Sequence, residues 1–208
     1  MKKTSIENRI IIESGLLFFK HGIRSITMDQ IASTLGISKK TIYQHYKDKE
    51  SLVRSFTNLE LFEQEKEMQL IRLQSTDAID EMLKVMLHLE NFFGRVNPSV
   101  FYDLQKYHPE SWKSFTQFKE KILIGFVEEN IKSGIKKELY RKELQIKLIA
   151  RLRIEEVEMG MNPSIFPPNK FKLIDVQISL IDHFLHGIVT IKGFKLIQKY
   201  KKSFNHLS

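Results

Sequence analysis

The chain has 208 residues, a formal charge of +8 and 42% hydrophobic residues, which suffices for one large or two small domains with buried cores. It contains no cysteine, which excludes disulfides and thiolate metal sites and is typical of a protein in a reducing cytoplasm. No apolar run could span a bilayer and the first residues lack the apolar core of a secretory signal, so we expect a cytoplasmic protein without membrane contact.

The first predicted helix runs from about residue 7 to residue 20. Apolar side chains recur there at helical spacing, among them Ile10, Leu17 and Phe18. His21-Gly22 then supplies a stop signal. This helix offers a packing surface for the shorter helices that follow, which are too short to be stable alone.

Residues 26–52 contain two short helix patterns joined by a glycine turn. Thr27 and Gln30 have the spacing of a capping box, in which each side chain binds a free amide of the first turn. Gly36 stands where a left-handed residue commonly closes a helix, and Ser38 is a good N-cap for the second helix. Start and stop signals therefore define two consecutive short helices.

The second of these helices, about residues 39–46, is polar and basic on the side that faces away from the core. Ile42 is its inward apolar residue, and Tyr46 is expected in the core. A polar second helix after a glycine turn is the layout of a helix-turn-helix DNA reader. Residues 1–58 carry ten Lys and Arg against five Asp and Glu, a net +5 of the total +8, as phosphate binding requires.

Denser motifs in the same region carry a family resemblance. They are Leu35-Gly36-Ile37-Ser38 and Thr41-Ile42-Tyr43-Gln44-His45-Tyr46-Lys47-Asp48-Lys49-Glu50-Ser51-Leu52. This stretch resembles the TetR family of one-component transcriptional regulators. The resemblance implies an all-α fold with an N-terminal three-helix helix-turn-helix DNA-binding domain, residues 1–50, and a C-terminal helical ligand-binding and dimerisation domain, residues 51–208. Lys40 departs from the pattern, because the family often has a small residue there.

Nine residues of this region are candidates for DNA contact: Thr27, Ser38, Lys39, Lys40, Thr41, Tyr43, Gln44, His45 and Lys49. Those at the start of the second helix stand where side chains reach base edges or phosphates. A helix N-terminus also offers free amides to a phosphate, so Thr27 can cap and contact at once. The resemblance implies that His45 and Lys49 grip the DNA backbone. The competing interpretation is an ordinary cap, ion pair or solvated surface.

The rest of the chain is predicted to be helical, with glycine and proline at the breaks. The predicted segments are about Lys49–Leu73, Ala78–Phe93, a short helix to Tyr107, Glu110–Ser133, Lys142–Gly160, and Phe171–Tyr200 with a bend near Gly193. Asn97 and Pro98 are expected at the N-cap and first position of the short helix.

A ligand pocket is expected among aromatic and methionine side chains of the middle helices. Its candidate residues are Met82, Met86, Phe92, Phe93, Phe101, Tyr102, Trp112, Phe115 and Phe118. An aromatic stripe at helical spacing can equally be core, and this alternative stays open. If the pocket exists, its lining favours a small hydrophobic or flat inducer over a highly charged one.

The resemblance also implies that the helices at about 142–160 and 171–190 pair with those of a second copy. The apolar residues that could form this face are Ile146, Ile149, Leu152, Ile154, Leu173, Val176, Leu180, Phe184 and Ile188. They could instead complete the core of one chain. We favour the homodimer, because a single recognition helix makes too few contacts for tight operator binding.

No pattern in the chain indicates catalysis or a cofactor. There is no glycine-rich phosphate loop, nucleophile elbow or His-Glu-x-x-His pair. His183 and His186 have metal-ligand spacing but lack a clear third ligand, so no metal site is expected. We predict a homodimeric repressor that a small inducer releases from a near-palindromic operator. The alternatives are a TetR-like activator and an all-helical protein-interaction module without sequence-specific DNA binding.

Overall fold

The computed structural model describes residues 5–203, which are largely helical and contain no strand. The helices are α1 (Ile6–His21), α2 (Met28–Leu35), α3 (Lys39–His45), α4 (Lys49–Gln74), α5 (Ala78–Phe93), α6 (Ser99–Tyr107), α7 (Pro109–Phe118), α8 (Ile124–Lys136), α9 (Ile146–Gly160), α10 (Leu173–Ile188) and α11 (Ile191–Ser203). A π-helical turn, Lys119–Leu123, joins α7 to α8. The predicted all-α fold class is confirmed. None of the helices described has the length and apolar character that crossing a bilayer requires.

The described residues form two compact units. The first comprises the chain up to Gln64 together with Arg95–Gln117, and the second comprises Glu65–Gly94 together with the chain from Phe118 onward. Helix α4 contributes its first part to one unit and its last turns to the other. Helix α6 and most of α7 lie in the same unit as the N-terminal helices, and the functional domains at residues 1–50 and 51–208 stay a prediction.

The core of the first unit joins α1 to the helix-turn-helix pair and α4. Phe18 is fully buried, and its ring meets that of Phe56 edge-on at 5.5 Å between centres. A side chain at Gly15 would place its Cβ 2.6 Å from the Phe56 ring, so glycine lets α1 and α4 approach closely. Helix α1 also contacts α2, so it is the packing partner that the short helices need.

The core of the second unit gathers apolar side chains of α5, α8, α9, α10 and α11. Tyr140 is buried among them, and burial raises the pKa of its phenol well above the ordinary value. Its hydroxyl lies 3.0 Å from both the Ala78 carbonyl oxygen and Oδ1 of Asn130. Gly134 makes room for the Tyr140 ring, because a Cβ there would overlap it.

Two predicted helix boundaries near this tyrosine are wrong. Helix α8 continues past Gly134 to Lys136, and α9 begins at Ile146 rather than Lys142. Between these two helices, the backbone of Tyr140 pairs with that of Val189 in an isolated antiparallel bridge. Residues 142–143 form a turn after this bridge, where the sequence suggested a helix start.

The segment predicted as one helix, Phe171–Tyr200, is divided into two helices at Val189, the bridge partner of Tyr140. Helix α10 ends at Ile188 and α11 begins at Ile191, so the break lies before the expected bend at Gly193. The Thr190 hydroxyl donates to the Glu138 carbonyl at 2.9 Å and accepts from the Gly193 amide at 3.1 Å. These bonds cap α11 and separate it from α10.

Two smaller differences concern α6 and the helices after it. The segment predicted as one helix, Glu110–Ser133, is interrupted by the π-helical turn, where hydrogen bonds span five residues. Helix α6 begins at Ser99, so Pro98 takes the N-cap position. Oδ1 of Asn97 still accepts from the Ser99 amide at 2.9 Å. The one-residue offset at Pro98 is within the usual variation of helix ends.

Candidate nucleic-acid interface

The start of α2 is held by a complete capping box. The Gln30 amide donates to the Thr27 hydroxyl at 3.2 Å, and the Thr27 amide donates to Oε1 of Gln30 at 2.7 Å. Both bonds satisfy amides that the first turn of a helix leaves free. The predicted capping box is confirmed, and Thr27 itself is exposed at the surface.

The turn between α2 and α3 has the geometry that its sequence predicts. Gly36 adopts the left-handed conformation with φ 65° and ψ 33°, which glycine reaches without strain. The Ile37 amide then donates back to the Ala32 carbonyl at 3.1 Å, closing α2. The Ser38 hydroxyl accepts from the Thr41 amide at 3.0 Å and so starts α3. The turn fixes the angle between the two helices.

Helix α3 is anchored by its inward side chains. Ile42 is fully buried, and Tyr46 is buried directly after the helix ends. Ile31 and Leu35 of α2 are buried in the same core. The guanidinium of Arg9 on α1 donates to the Leu35 carbonyl at 2.9 Å, tying α1 to the end of α2. The predicted division of α3 into a core side and an outer side is therefore present.

The outer side of α3 presents a polar surface. Lys39, Lys40, Tyr43, Gln44 and His45 are exposed, and Tyr43 keeps 44% of its surface accessible. Such a surface offers donors, acceptors and positive charge along one short helix.

Two of the predicted contact residues near the start of α3 have partners within the chain. The Lys39 ammonium donates to Oδ2 of Asp29 at 2.8 Å, and this hydrogen bond raises the pKa of Lys39. The pair is exposed, so water and salt screen it. The Thr41 hydroxyl lies 2.8 Å from that of Ser38, and Thr41 is half-buried. Both residues remain candidates for DNA contact, since Lys39 is exposed and Thr41 is only partly buried.

Lys49 is placed differently from the other candidates. Its ammonium donates to the Ile23 carbonyl at 2.6 Å, and burial lowers its pKa while the nearby Asp103 opposes that shift. The side chain therefore connects the first turn of α4 to the loop after α1. This bond helps to hold the first unit together, and the contact of Lys49 with the DNA backbone that the resemblance implied stays a prediction.

Sequence reasoning missed the residues of α6 that bind the loop between α1 and α2. Oδ2 of Asp103 accepts from the Arg24 amide at 2.9 Å, and the Arg24 guanidinium donates to the Tyr107 hydroxyl at 3.0 Å. Asp103 is buried although it lies on a short amphipathic helix. A buried carboxylate needs partners, but nothing in the sequence identifies residues about eighty positions away.

The predicted pocket residues are divided between the two units. Met82, Met86, Phe92, Phe93 and Phe118 belong to the second, and Phe101, Tyr102, Trp112 and Phe115 belong to the first. The two methionines are buried in the core of the second unit.

Two pairs of these aromatic side chains are in ring contact. The rings of Phe92 and Phe93 are 5.3 Å apart, and those of Trp112 and Phe115 are 5.0 Å apart. Ring contacts within each unit are compatible with core packing and with a pocket wall, so the pocket stays a prediction.

The predicted dimer helices contain both buried and exposed apolar residues. Four of the predicted interface residues are buried within the single chain: Ile154, Val176, Phe184 and Ile188. They serve the core, as the alternative interpretation expected. Leu148 and Leu152 of α9 are at least half exposed and remain available to a partner.

Known transcriptional regulators resemble this protein both over residues 16–56 and over most of the chain. A family model described as bacterial regulatory proteins, tetR family, matches residues 16–56. An uncharacterised HTH-type transcriptional regulator of Bacillus subtilis, YvaF, is 24% identical over 187 residues, covering 88% of this chain and 95% of that protein.

Solved structures share the fold at low sequence identity. A TetR-family regulator from Agrobacterium tumefaciens superposes with a TM-score of 0.72 at 14% identity, covering 88% of this chain and 97% of that one. The regulator FadR from Bacillus subtilis, solved in complex with stearoyl-CoA, superposes with a TM-score of 0.64 at 16% identity, covering 86% and 98%. Together with the helix-turn-helix geometry, these similarities show that residues 16–56 form a DNA-binding module of the tetR type and that the chain shares the fold of TetR-family transcriptional regulators.

Proposed function

We propose that the chain is a homodimeric repressor that binds a near-palindromic operator and is released by a small inducer. The observation that carries this proposal is the division of α3. Ile42 and the following Tyr46 anchor it in the core, while its outer side chains are exposed. A helix that is rigidly held and polar on its free side can enter a major groove without reorganising.

Within this surface, different residues serve affinity and specificity. Lys40 and His45 are exposed and would contact phosphates, and the hydroxyl of the exposed Tyr43 would donate to one. Gln44 carries a donor and an acceptor that suit the edge of an adenine. Lys39 can exchange its exposed partner Asp29 for a phosphate at little cost, because the ion pair is already solvated. Contacts with Thr27 and Ser38 would use the free amides of the helix starts that they cap.

The short length of the recognition helix, α3, is the argument for a dimer. One α3 helix has seven residues and covers only a few base pairs, so tight binding requires two. The exposed Leu148 and Leu152 on α9 support a contact between two copies. A symmetric dimer would set the two α3 helices about one helical turn of DNA apart, roughly 35 Å.

Release by a ligand is supported by the family and by the composition of the predicted pocket. FadR of Bacillus subtilis was solved with stearoyl-CoA, which shows that this fold can hold a large ligand. In the present chain the predicted pocket residues are apolar or aromatic, which favours a hydrophobic inducer. An inducer acts only if it binds the DNA-free state more tightly than the DNA-bound state.

Selection from a random-sequence duplex library tests the DNA-binding part of the proposal. The full chain is expected to enrich a near-palindromic sequence with half-sites one helical turn apart, and sedimentation should show two chains per duplex. The variant Gln44→Ala is compared with Lys195→Ala, which changes an exposed lysine on α11. Only the first should alter the enriched sequence. Enrichment of no sequence would favour an interaction module.

A reporter gene downstream of the selected operator tests the direction of regulation. Expression of the chain should lower reporter output, because a protein bound at a promoter blocks polymerase. Increased output at the same operator would identify an activator and contradict the proposed repression.

A further inference from the structure

Helix α11, in the second unit, presents lysines on its outer side and contains no acidic residue. Its lysines are Lys192, Lys195, Lys199, Lys201 and Lys202. Lys201 donates to Oδ1 of Asp182 at 2.6 Å, whereas Lys192, Lys195 and Lys199 lie three and four residues apart on one exposed side. A solvated helix face usually mixes both signs of charge, so a face with one sign indicates a charged partner.

Two of these lysines do not stabilise the helix that carries them. Lys192 lies in the first turn of α11 and Lys195 follows in the next, while the first turn has no acidic residue. Because the N-terminal end of a helix carries partial positive charge, cations near it are unfavourable. The stability of α11 therefore does not account for Lys192 and Lys195.

A groove of about 560 Å³ runs beside these lysines and is called the α11 groove below. Its lining residues are Leu139, Ile191, Lys192, Lys195, Leu196 and Lys199. Leu139 is buried and Leu196 half-buried, so they give the groove an apolar floor, and Ile191 is 78% exposed. A molecule that covers the α11 groove would bury apolar surface and meet positive charge at the same time.

Lys192 is held at the edge of this groove without losing access to an anion. Its ammonium donates to the Lys137 carbonyl at 2.9 Å and lies 3.5 Å from Oε2 of Glu138, yet its side chain is 61% exposed. A neighbouring hollow of about 520 Å³ shares Lys192 and adds Lys136 and Lys137. The acidic residues of that hollow, Asp77 and Glu138, are bonded within the chain. The positive surface therefore continues past the end of α11.

The form of the α11 groove restricts what can occupy it. It is open to solvent along the helix, whereas pockets for small molecules enclose most of their ligand. A helix that binds a membrane surface inserts its apolar side into the lipid. The apolar side of α11 is already used within the chain, because Ile197 is fully buried in the core of the second unit. The surface of another protein fits an open groove of this kind.

We propose that the α11 groove docks an acidic amphipathic helix of a protein partner. Carboxylates three and four residues apart on that helix would face Lys192, Lys195 and Lys199, which span about 10 Å along α11. Apolar side chains beside the carboxylates would cover Ile191. This partner is additional to the operator and the inducer, and the inference rests on neither.

A labelled synthetic peptide tests the inference by fluorescence anisotropy with the full chain. The peptide has about 20 residues, which is long enough for a helix in water, with glutamates three and four residues apart and leucines beside them. It should bind about tenfold more tightly than a matched peptide with glutamines in place of the glutamates, because each exposed ion pair contributes a few-fold. A third peptide with alanines in place of the leucines should also bind more weakly, since it leaves Ile191 uncovered.

Two double variants separate the position of the charges from their number. Lys195→Gln/Lys199→Gln removes two charges from the α11 groove and should weaken binding of the acidic peptide by about tenfold. Lys121→Gln/Lys142→Gln removes the same charge from exposed lysines outside the groove and should leave the affinity nearly unchanged. All four residues are exposed, so both variants should keep the circular dichroism spectrum of the natural chain.

Four results would overturn the inference. Equal affinity for the glutamate and glutamine peptides would exclude charge recognition, and equal weakening in both double variants would leave only an effect of net charge. Binding to vesicles of phosphatidylcholine with about one third phosphatidylserine that is lost in Lys195→Gln/Lys199→Gln, without peptide binding, would identify a lipid surface. Loss of self-association in the same variant, measured by sedimentation, would identify a second copy as the occupant. None of these results bears on operator selection, so the proposed function is tested separately.

Discussion

Nδ1 of His108 lies 2.5 Å from Oε2 of Glu50, which joins the residue after α6 to the first turn of α4. His108 is 8% exposed, so its ring is largely removed from water. Helix α4 begins only four residues after α3 ends, at His45. The contact therefore holds the start of the helix that directly follows the recognition helix.

A double-mutant cycle measures what this contact contributes. His108→Ala and Glu50→Ala should each lower the free energy of unfolding, with a coupling energy of about 1–2 kcal/mol, because the imidazole is bonded to a carboxyl group and the contact is partly buried. The only tryptophan of the chain, Trp112, lies on α7 of the same unit and reports its unfolding in urea. The corresponding cycle on the exposed pair Lys132 and Glu129, followed by circular dichroism, should show no measurable coupling. Equal coupling in both cycles would contradict the structural role of His108.

Lys49 and Lys40 should respond to mutation in opposite ways. Lys49→Met removes the shorter of two hydrogen bonds to the Ile23 carbonyl, which keeps only the Ile26 amide at 3.3 Å, and should cost about 1 kcal/mol of unfolding free energy. The same variant should keep the salt dependence of DNA binding. In the natural chain the ammonium of Lys49 is already bonded to the Ile23 carbonyl and is not needed for a phosphate contact. Lys40→Met should leave stability unchanged and reduce the slope of log affinity against log salt by about 1, the effect of one lost phosphate contact.

Urea denaturation and binding titrations at several salt concentrations check both lysine variants. A reduced salt slope with unchanged stability in Lys49→Met would show that Lys49 contacts the DNA backbone, as the family resemblance suggested.

Gln44 should determine sequence preference rather than general affinity. Gln44→Ala is expected to cost about 1–3 kcal/mol on the selected operator, with little change on random DNA, because a lost base contact affects only the matching sequence. Fluorescence anisotropy on the two duplexes measures the difference. Lys40→Met is the control, since it should weaken binding to both. Equal losses on the two duplexes for Gln44→Ala would remove it from direct readout.

The sequence predicted local structure well because local signals act over three or four residues. Thr27 with Gln30 and the left-handed Gly36 are examples in which the interacting groups are neighbours in the chain. Lys49 shows the limit of this reasoning. Its motif indicates a DNA contact, but its observed partner, the Ile23 carbonyl, lies twenty-six residues away and has no sequence signal.

The errors in helix placement have the same physical origin. The start of α9 was placed too early because the pairing of Tyr140 with Val189 depends on segments that meet only after folding. Arg153 is buried, although it stands between charged neighbours in the stretch Arg151–Glu156, a pattern typical of a solvated helix face. Its burial depends on the packing of α10, so its position could not be predicted from spacing.

Tyr46 should make the first unit sensitive to alkaline pH. Burial, with a smaller contribution from the nearby Glu7, raises the pKa of Tyr46 to about 12, and its hydroxyl has no hydrogen-bond partner among the described residues. In the unfolded chain a tyrosine titrates near pH 10. Between about pH 10 and pH 12 the unfolded chain therefore loses a proton that the folded chain keeps, so the free energy of unfolding falls as the pH rises.

The variant Tyr46→Phe removes this titration without changing the shape of the core. At pH 7 it should be as stable as the natural chain or slightly more stable, because no buried hydroxyl is left unpaired. By pH 11–12 the difference should grow by about 1–2 kcal/mol in favour of phenylalanine. Urea denaturation followed by Trp112 fluorescence at each pH measures the gap, and subtracting the two curves cancels the titration of other groups. Parallel curves from pH 7 to pH 12 would show that Tyr46 ionises equally in both states, contrary to its burial.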